Sequence, residues 1–558
     1  MKIAIVSINA HTRSLNLACP VHSWAFQQFL FQHGIDNQIL NYQPNYTHAV
    51  SFSSREPYPF FEKLTAWYEK EVEDIEAQEG FDPVERKRIR KLWKLTRMQR
   101  DGYAVMGEER AARFDKKEEF VHKYLQMTDR VYTTADLELE DPGFDCYICA
   151  SDVIWKFNEF DGFDLGFFLG SKAMDYKHKI AYAASRGVPY EYPDDQREFF
   201  VHYLKDFDAI AAREQSVADD VKRLVGKDAP VVLAPVLLHD AKFYEKVLVK
   251  PKEENYVLLY SPEERTKNTT LAAQEYCKKH GKLLVEISSF PLVGGLLKGK
   301  YEVDHVFRYD VGPDEWIGYF KYADHVFTNS FHAVCFSILF KKQFTVGSRA
   351  GDKVSHLLEM FGLTHRQIDK KGEFVEIKKY PKASAPVRAL RKFWILERPE
   401  KNAVYYPDVY QILKEERQKS AVYILGAIRE VSAQAEDHKE HDYDAWRRHL
   451  EYDLRYYYSG AEVPEGLPEK DHVVNDGSGL HLPDLSGMEG FRGWHLMLRM
   501  VDNWYCLKAE EGEPAELIPM EGQGGEPVFL FAGGAQVPHI PTGIIDEVIA
   551  RACFGDGQ

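Results

Sequence analysis

The 558-residue chain is short of positive charge: 71 Lys and Arg stand against 87 Asp and Glu, a formal charge of −16. A surface of that sign repels phosphate backbones and anionic lipid, so no nucleic-acid partner is expected, and an anionic substrate would need a local cluster of cations. Long apolar runs are missing too. The longest, such as FHAVCFSILF, extend for about ten residues, against the roughly 20 that a spanning helix requires, so no membrane span is expected. The opening MKIAIVSINAHTR lacks the charged start, long apolar segment and small-residue cleavage site of a secretory signal, which makes the cytoplasm the expected location. Cysteine is sparse, with seven scattered residues, a number that fits reduced thiols better than a disulfide framework. Cys146 and Cys149 form a C-x-x-C, but inside a strand pattern, where positions i and i+3 point to opposite faces. A second C-x-x-C, H-E-x-x-H, G-x-G-x-x-G and G-x-x-x-x-G-K-[ST] are all absent, so neither a metal site nor a nucleotide fingerprint follows.

What is present is an ordinary globular composition, 44% hydrophobic and 28% charged, long enough for about three or four folding units. The short apolar segments KIAIVSI, FDCYICAS, KIAYAAS and FDAIAA each lead into a helical pattern, and YVLLYS, KLLVEIS, DHVFTNS and QFTVGS repeat that plan after a charged, Pro251-containing linker. Alternation of this kind argues for α/β architecture with parallel sheets. The expected organisation is an N-terminal Rossmann-like domain over 1–245 with a charged, solvated helical insertion at about 51–118, and a second Rossmann-like domain over 250–385. A helical segment over 386–430 is expected to pack across both. From 435 to 558, Gly-rich turns alternate with short aromatic or aliphatic runs, as in an appended mostly β or mixed domain. Its Trp446, Trp494, Trp504 and Tyr505 could stack on sugar, but aromatics at this density more often form a core, and they could equally seal a contact in a homo-oligomer.

The clearest local pattern is DHVFTNSFHAVCFSILF. A strand ends in Thr328, Asn329 and Ser330, each a good N-cap, and Phe331, Val334, Cys335, Ile338 and Leu339 then recur at helical spacing as one buried face. His332 falls off that stripe, in the first turn. A helix start at the carboxyl edge of a parallel sheet favours anions, although the plainer reading is a capped helix whose His bonds a carbonyl. FDAIAAREQSVADDVKRLVG has the same plan, placing Arg213 in the turn after a strand, before a helix opened by Ser216 and ended by Gly226. There its guanidinium could grip a carboxylate or phosphate; the plainer reading is an exposed Arg213–Glu214 pair. FDCYICASDVIW empties into Ser151 and Asp152, where Asp152 could orient a hydroxyl, act as a general base, or simply cap a turn.

Together these segments resemble the polysaccharide pyruvyl transferase family in chain order over residues 1 to about 425. NLACPVHSWAFQQFLFQHGIDNQILNY is similar to that family's Asn-Tyr-Gly-Ala start, CASDVIW to its Gly-Ser-Asp-Gln-Val-Trp, IAYAAS to its Ile-Ala-Tyr-Ala-Ala-Ser-Phe-Gly and AAREQSVADDVKRLVG to its Arg-Glu-x-x-Ser. VLAPVLL, YSPEERTKN, TNSFHAVCFSILF and SRAGDKVSHLLEMFGL complete the order. Departures are Leu17 and Ala18 for Tyr and Gly, Ala150 for Gly, Val153 for Gln, Arg186 for Phe, and Ser330 where some members carry Arg.

The resemblance implies two Rossmann-like domains facing a cleft, a GT-B-like fold, and transfer of the enolpyruvyl part of phosphoenolpyruvate to a sugar hydroxyl in surface or exopolysaccharide synthesis. Phosphoenolpyruvate would be the donor substrate, with no cofactor and no metal, and a sugar or glycan the acceptor. It implies catalytic roles for His332 and Asp152, and substrate binding by Arg213, Ser330, Asn329 and Asn16. Two rivals share the fold. A nucleotide-sugar glycosyltransferase would use a ribose-gripping Glu, for which Glu286 is the candidate; a non-catalytic carbohydrate-binding protein would fit the altered NLA and CASDVI motifs.

Overall fold

A computed structural model of the chain describes residues 1–8, 15–44, 54–77, 81–157, 162–175, 177–262, 267–289, 291, 302–347, 351–368 and 403–433, together with seven strands between 454 and 541. The first half carries a six-stranded parallel sheet in the order β3-β2-β1-β4-β5-β6. Its strands are β1 (Ile3–Val6), β2 (Asn37–Tyr42), β3 (Met127–Tyr132), β4 (Cys146–Asp152), β5 (His178–Ala184) and β6 (Ala209–Ala212). The second half carries a five-stranded parallel sheet, β11-β10-β7-β8-β9, formed by β7 (Tyr256–Ser261), β8 (Leu283–Ser288), β9 (His305–Arg308), β10 (His325–Thr328) and β11 (Gln343–Val346). Both sheets are α/β and wholly parallel, as the alternation of strand and helix patterns requires.

The central strands are apolar throughout because both faces are covered. In β1, Ile3 and Ile5 join one core and Ala4 and Val6 another; β4 divides likewise, with Cys146 and Ile148 on one side and Tyr147 and Cys149 on the other. The C-x-x-C thiols therefore face opposite cores, and both are buried and free. The larger core spans the two halves, joining Val21 and Phe26 to Leu258, Val285 and Phe336. Its middle is the Ala18–Gln32 helix, twelve of whose fifteen residues are buried. Such a helix has no polar face and must lie inside the molecule.

The stretch expected to be a solvated insertion contains the helices Tyr58–Ala77, Pro83–Val105 and Gly107–Tyr124. Its last helix is not solvated on all sides: Arg110, Arg113 and Lys117 are buried. At i, i+3 and i+7 they share one face, and that face meets the second half. Arg113 Nη1 donates to the Ser288 carbonyl at 2.7 Å, and Lys116 Nζ to Glu315 Oε2 at 2.8 Å.

The Tyr406–Ala433 helix packs across both halves, and Ile424, Ile428 and Val431 enter the shared core. It continues past residue 430; residues 386–402 lie outside the described residues. Beyond 450 the described strands form a four-stranded antiparallel sheet, Leu454–Tyr458, Trp494–Met500, Asn503–Lys508 and Glu516–Met520, and a three-stranded one. Trp494 begins one strand and Trp504 and Tyr505 lie on the next, whereas Trp446 is outside the described residues. Among the described residues no helix is long and apolar enough to cross a membrane.

Candidate active site

The carboxyl edges of the two sheets supply the site residues. Strand β4 ends on Asp152, whose φ of 73° is a left-handed conformation that non-glycine residues rarely adopt. Strand β6 ends immediately before Arg213, and Arg213 Nη1 donates to Asp152 Oδ1 at 2.7 Å while its Nε donates to Glu214 Oε2 at 3.3 Å. Ser185, following β5, donates its hydroxyl to the other Glu214 oxygen. The guanidinium lies 4.5 Å from the Phe331 ring centre, and its Nη2 has no hydrogen-bond partner. Arg213 and Glu214 are thus a pair, but a buried one, 3% and 0% exposed. The exposed-pair reading is corrected because the second half covers them. The helix after Arg213 opens at Gln215, one residue earlier than the expected Ser216 start, and ends as expected at Gly226, with φ 78°.

Across the cleft, β10 ends at Thr328, whose hydroxyl donates to the Tyr260 carbonyl and accepts the Ser330 N–H. Of the three candidate caps it is Ser330 that serves, accepting the Ala333 N–H at 3.4 Å. Asn329 is buried between them. The Phe331–Leu339 helix is buried at all nine positions, including His332. His332, off the stripe, is buried with the rest and turns its ring toward the first half. The helix is packed all round: Phe331 of the stripe lies over the Arg213 guanidinium, Phe336 off it packs against Trp316 and Phe320, and His332 meets the Ala18–Gln32 helix. His332 stacks on His22 of that helix, ring centres 5.5 Å apart and planes within 11°. Asn16 sits just before the same helix and accepts the Ala18 N–H on its Oδ1.

Burial pushes His332 down to about 3 and His22 down to about 4, so both rings are neutral at pH 7. Burial alone would raise the Asp152 carboxyl, yet the adjacent Arg213 guanidinium holds it well below the usual carboxylate range. Asp152 is therefore an ionised partner of Arg213 and a poor proton acceptor. Cys19, His22 and Asp152 also bring potential ligand atoms within 4.8 Å of one another. The set suits a metal ion badly, since Asp152 is already engaged by Arg213, and Lys117 and Lys353 add positive charge near Cys19. Burial pushes the Cys19 thiol up and keeps it protonated.

Lys117 was not foreseen as a site residue. Burial pushes it down to about 8, and its helix is tied by Arg113 to both the Leu15 and Ser288 carbonyls. The halves also approach at Gly351, φ 93°, where a Cβ would lie 2.5 Å from the Gly187 carbonyl oxygen. Only glycine fits there. Arg186, one of the departures from the family pattern, pairs with Asp220 and lies over Tyr192. Glu286, the ribose-gripping candidate, is 1% exposed and bonds His305 at 3.1 Å within the β8–β9 pair. A surface groove of about 570 Å³, lined by Arg197, His202, Tyr203, Lys205 and Arg223, contains none of the residues singled out above.

Two parallel α/β sheets whose carboxyl edges bring together Arg213, two imidazoles and a helix start define a cleft-facing, Rossmann-like architecture. Within that architecture, the chain belongs to the polysaccharide pyruvyl transferase family, whose model matches residues 21–347. Asp152, Arg213, Asn329, Ser330 and His332 fall inside the match, and Asn16 precedes it. No curated protein matches the chain. Similar solved structures include a UDP-GlcNAc 2-epimerase from Neisseria meningitidis bound to UDP-GlcNAc, 10% identical, covering 77% of this chain and 100% of that one with a TM-score of 0.35. A glycosyltransferase from Rickettsia africae is 11% identical and covers 77% and 97% with a TM-score of 0.33. The HepE protein of Anabaena in complex with UDP is 10% identical and covers 56% and 89% with a TM-score of 0.34.

Proposed function

We propose that the chain transfers the pyruvyl group of phosphoenolpyruvate to hydroxyls of a sugar or glycan, forming a ketal during surface or exopolysaccharide synthesis in the cytoplasm. The observation that carries this reading is a set of buried polar atoms without hydrogen-bond partners around Asp152: Arg213 Nη2, His332 Nε2 and Ser151 Oγ. An unpaired buried donor costs about 1–3 kcal/mol. A ligand rich in anionic oxygens would satisfy several at once, and phosphoenolpyruvate carries a phosphate and a carboxylate. Arg213 and the Ser330-capped helix start would grip the anion. Asp152 and Glu214 act as positioning residues that hold the guanidinium still. Asn16 and Asn329 border the acceptor side.

A bound trianion raises the His332 pKa, so the ring takes up a proton as the donor binds. It then gives that proton to the C3 methylene carbon. A sugar oxygen bonds to C2, and phosphate leaves with the C2–O electron pair when the second hydroxyl closes the ketal. No metal is required for these steps. The direct test is phosphate release from phosphoenolpyruvate against a panel of lipid-linked and nucleotide-linked sugars. Absence of release with every acceptor, together with no calorimetric binding of phosphoenolpyruvate, would overturn the reading. Arg213→Lys keeps the charge but loses the planar fork, and should weaken donor binding by about 1.5–3 kcal/mol.

A further inference from the structure

Adding a hydroxyl across the enol double bond needs two proton transfers, one to C3 and one from the attacking oxygen. His332 accounts for the first. For the second the sequence suggested Asp152, but the Arg213 contact at 2.7 Å occupies that carboxylate. Glu214 is 0% exposed, with one oxygen accepting from Arg213 and the other from Ser185. The Cys19 thiol is protonated, and Arg213, Lys117 and Lys353 are cations. The remaining group at the centre is His22.

His22 is 0% exposed, and neither ring nitrogen has a hydrogen-bond partner. Its neighbours along the helix are Ala18, Cys19, Val21, Trp24, Ala25 and Phe26, all buried. If the position served only packing, an apolar side chain would fill it without two unpaired polar atoms, each costly in a site closed to water. Instead a neutral imidazole lies parallel to His332. We propose that His22 is the proton acceptor for the attacking sugar hydroxyl, paired with His332 as the proton donor to C3.

This rests on the pyruvyl-transfer reading. The balance is closed within the pair: the N–H bond of protonated His332 breaks as C3–H forms, and the sugar O–H breaks as the oxygen bonds C2 and His22 takes its proton. One imidazolium has moved from His332 to His22, with no net change of charge. The second hydroxyl loses its proton to the departing phosphate. His22 returns its proton to water after the product leaves, and His332 is recharged with the next donor. Asp152 and Arg213 face His22 with opposite charges, and Cys19 lies one turn before it.

The test uses the full chain with His22→Phe, which keeps the ring stack and removes both nitrogens, and His22→Asn, which is smaller and polar. Turnover should fall by about 10²–10³-fold in both, while phosphoenolpyruvate affinity stays within about twofold and the melting temperature is retained. Wild-type kcat should also fall on the acid side as the acceptor becomes protonated, and that limb should be missing from the variants. Unchanged turnover per folded molecule, or activity that merely follows the folded fraction, would overturn the role of His22 while pyruvyl transfer stands. A wild-type profile without an acid limb would overturn it even if neither variant folds. Wild-type protein that releases no phosphate from the donor overturns the underlying reading, and this inference with it.

Discussion

At its carboxyl edge the first half buries ions, with Arg213 held between Asp152 and Glu214, whereas the second half contributes Ser330, Phe331 and His332, none charged at neutral pH. The same strand-to-helix plan is thus used for two kinds of chemistry. On one side a cation is fixed by two carboxylates, a costly arrangement to assemble and a rigid one once made. On the other, a capped helix start and a neutral ring bring no charge into the interior, and the ring keeps one nitrogen, Nε2, without a hydrogen-bond partner. In the proposed transfer, that separation would let a bound anion recharge His332 without disturbing Arg213, the residue that holds the anion.

The largest effect should come from breaking the ionic side. Arg213→Ala leaves Asp152 and Glu214 buried without their cation, and removal of one partner from such a cluster costs about 3–5 kcal/mol. Chemical denaturation should show that loss, and Arg213→Ala combined with Asp152→Asn should recover part of it. Equal stability of wild type and Arg213→Ala would mean that water reaches these carboxylates. The neutral side should respond differently: His332→Asn removes a buried ring from its stack on His22 and should lower stability less than Arg213→Ala does, while turnover per folded molecule falls by about 10²–10⁴-fold. A lowered melting temperature with activity following the folded fraction would make His332 structural.

Acidity sharpens the contrast. His22 and His239 are pushed down to about 4, and His332 to about 3, by burial. Below the unfolded value of about 6.5 the unfolded chain binds protons that the folded chain refuses, so stability falls with falling pH. The slope is about 1.4 kcal/mol per pH unit for each imidazole, down to its folded pKa. Asp152, held low in the folded state, adds a loss only below about pH 4. Melting followed from pH 7 to 4 should decline, and His22→Phe should decline less steeply. An unchanged slope in that variant would mean that His22 is already solvated.

Much of the frame was legible from sequence because β1, β4 to β8, β10 and β11 are covered on both sides and read as apolar runs. The strands that escaped have a different environment. MTDRVY of β3 and HVFR of β9 are sheet edges, half-buried or exposed over most of their length, so they lack the run that marks a central strand. NQILNY of β2 mixes polar and apolar positions. At the site, Arg213 and His332 stood out through their places between strand and helix. Their burial did not, because a pattern local to one strand and helix is silent about what the other half of the molecule lays over it. His22 escaped for the same reason, as a histidine in an apolar helix looks like core. The Arg110, Arg113 and Lys117 spacing was readable as one cationic face, but overall charge made the segment look solvated.

The smallest expected effect concerns the insertion helix, which belongs to the first half in sequence yet is fastened to the second. Lys116 Nζ lies 2.8 Å from Glu315 Oε2 and donates to the Asp310 carbonyl at 2.9 Å, while its Cβ would stand 2.8 Å from a Cβ added at Gly312. The close backbone approach fixes the helix here, and the ion pair is an addition at a site about one-third exposed. Lys116→Met should therefore cost only about 0.5–1 kcal/mol, and less at high salt, as partly exposed pairs do. Gly312→Ala should cost more despite removing no charge, because the Lys116 side chain cannot move away without carrying its helix with it. A double-mutant cycle of Lys116→Met with Glu315→Gln isolates the pair. A coupling above about 2 kcal/mol that persists in salt would mean that this contact is as desolvated as the Arg213 cluster, and that ionic fixing is shared by both halves of the molecule.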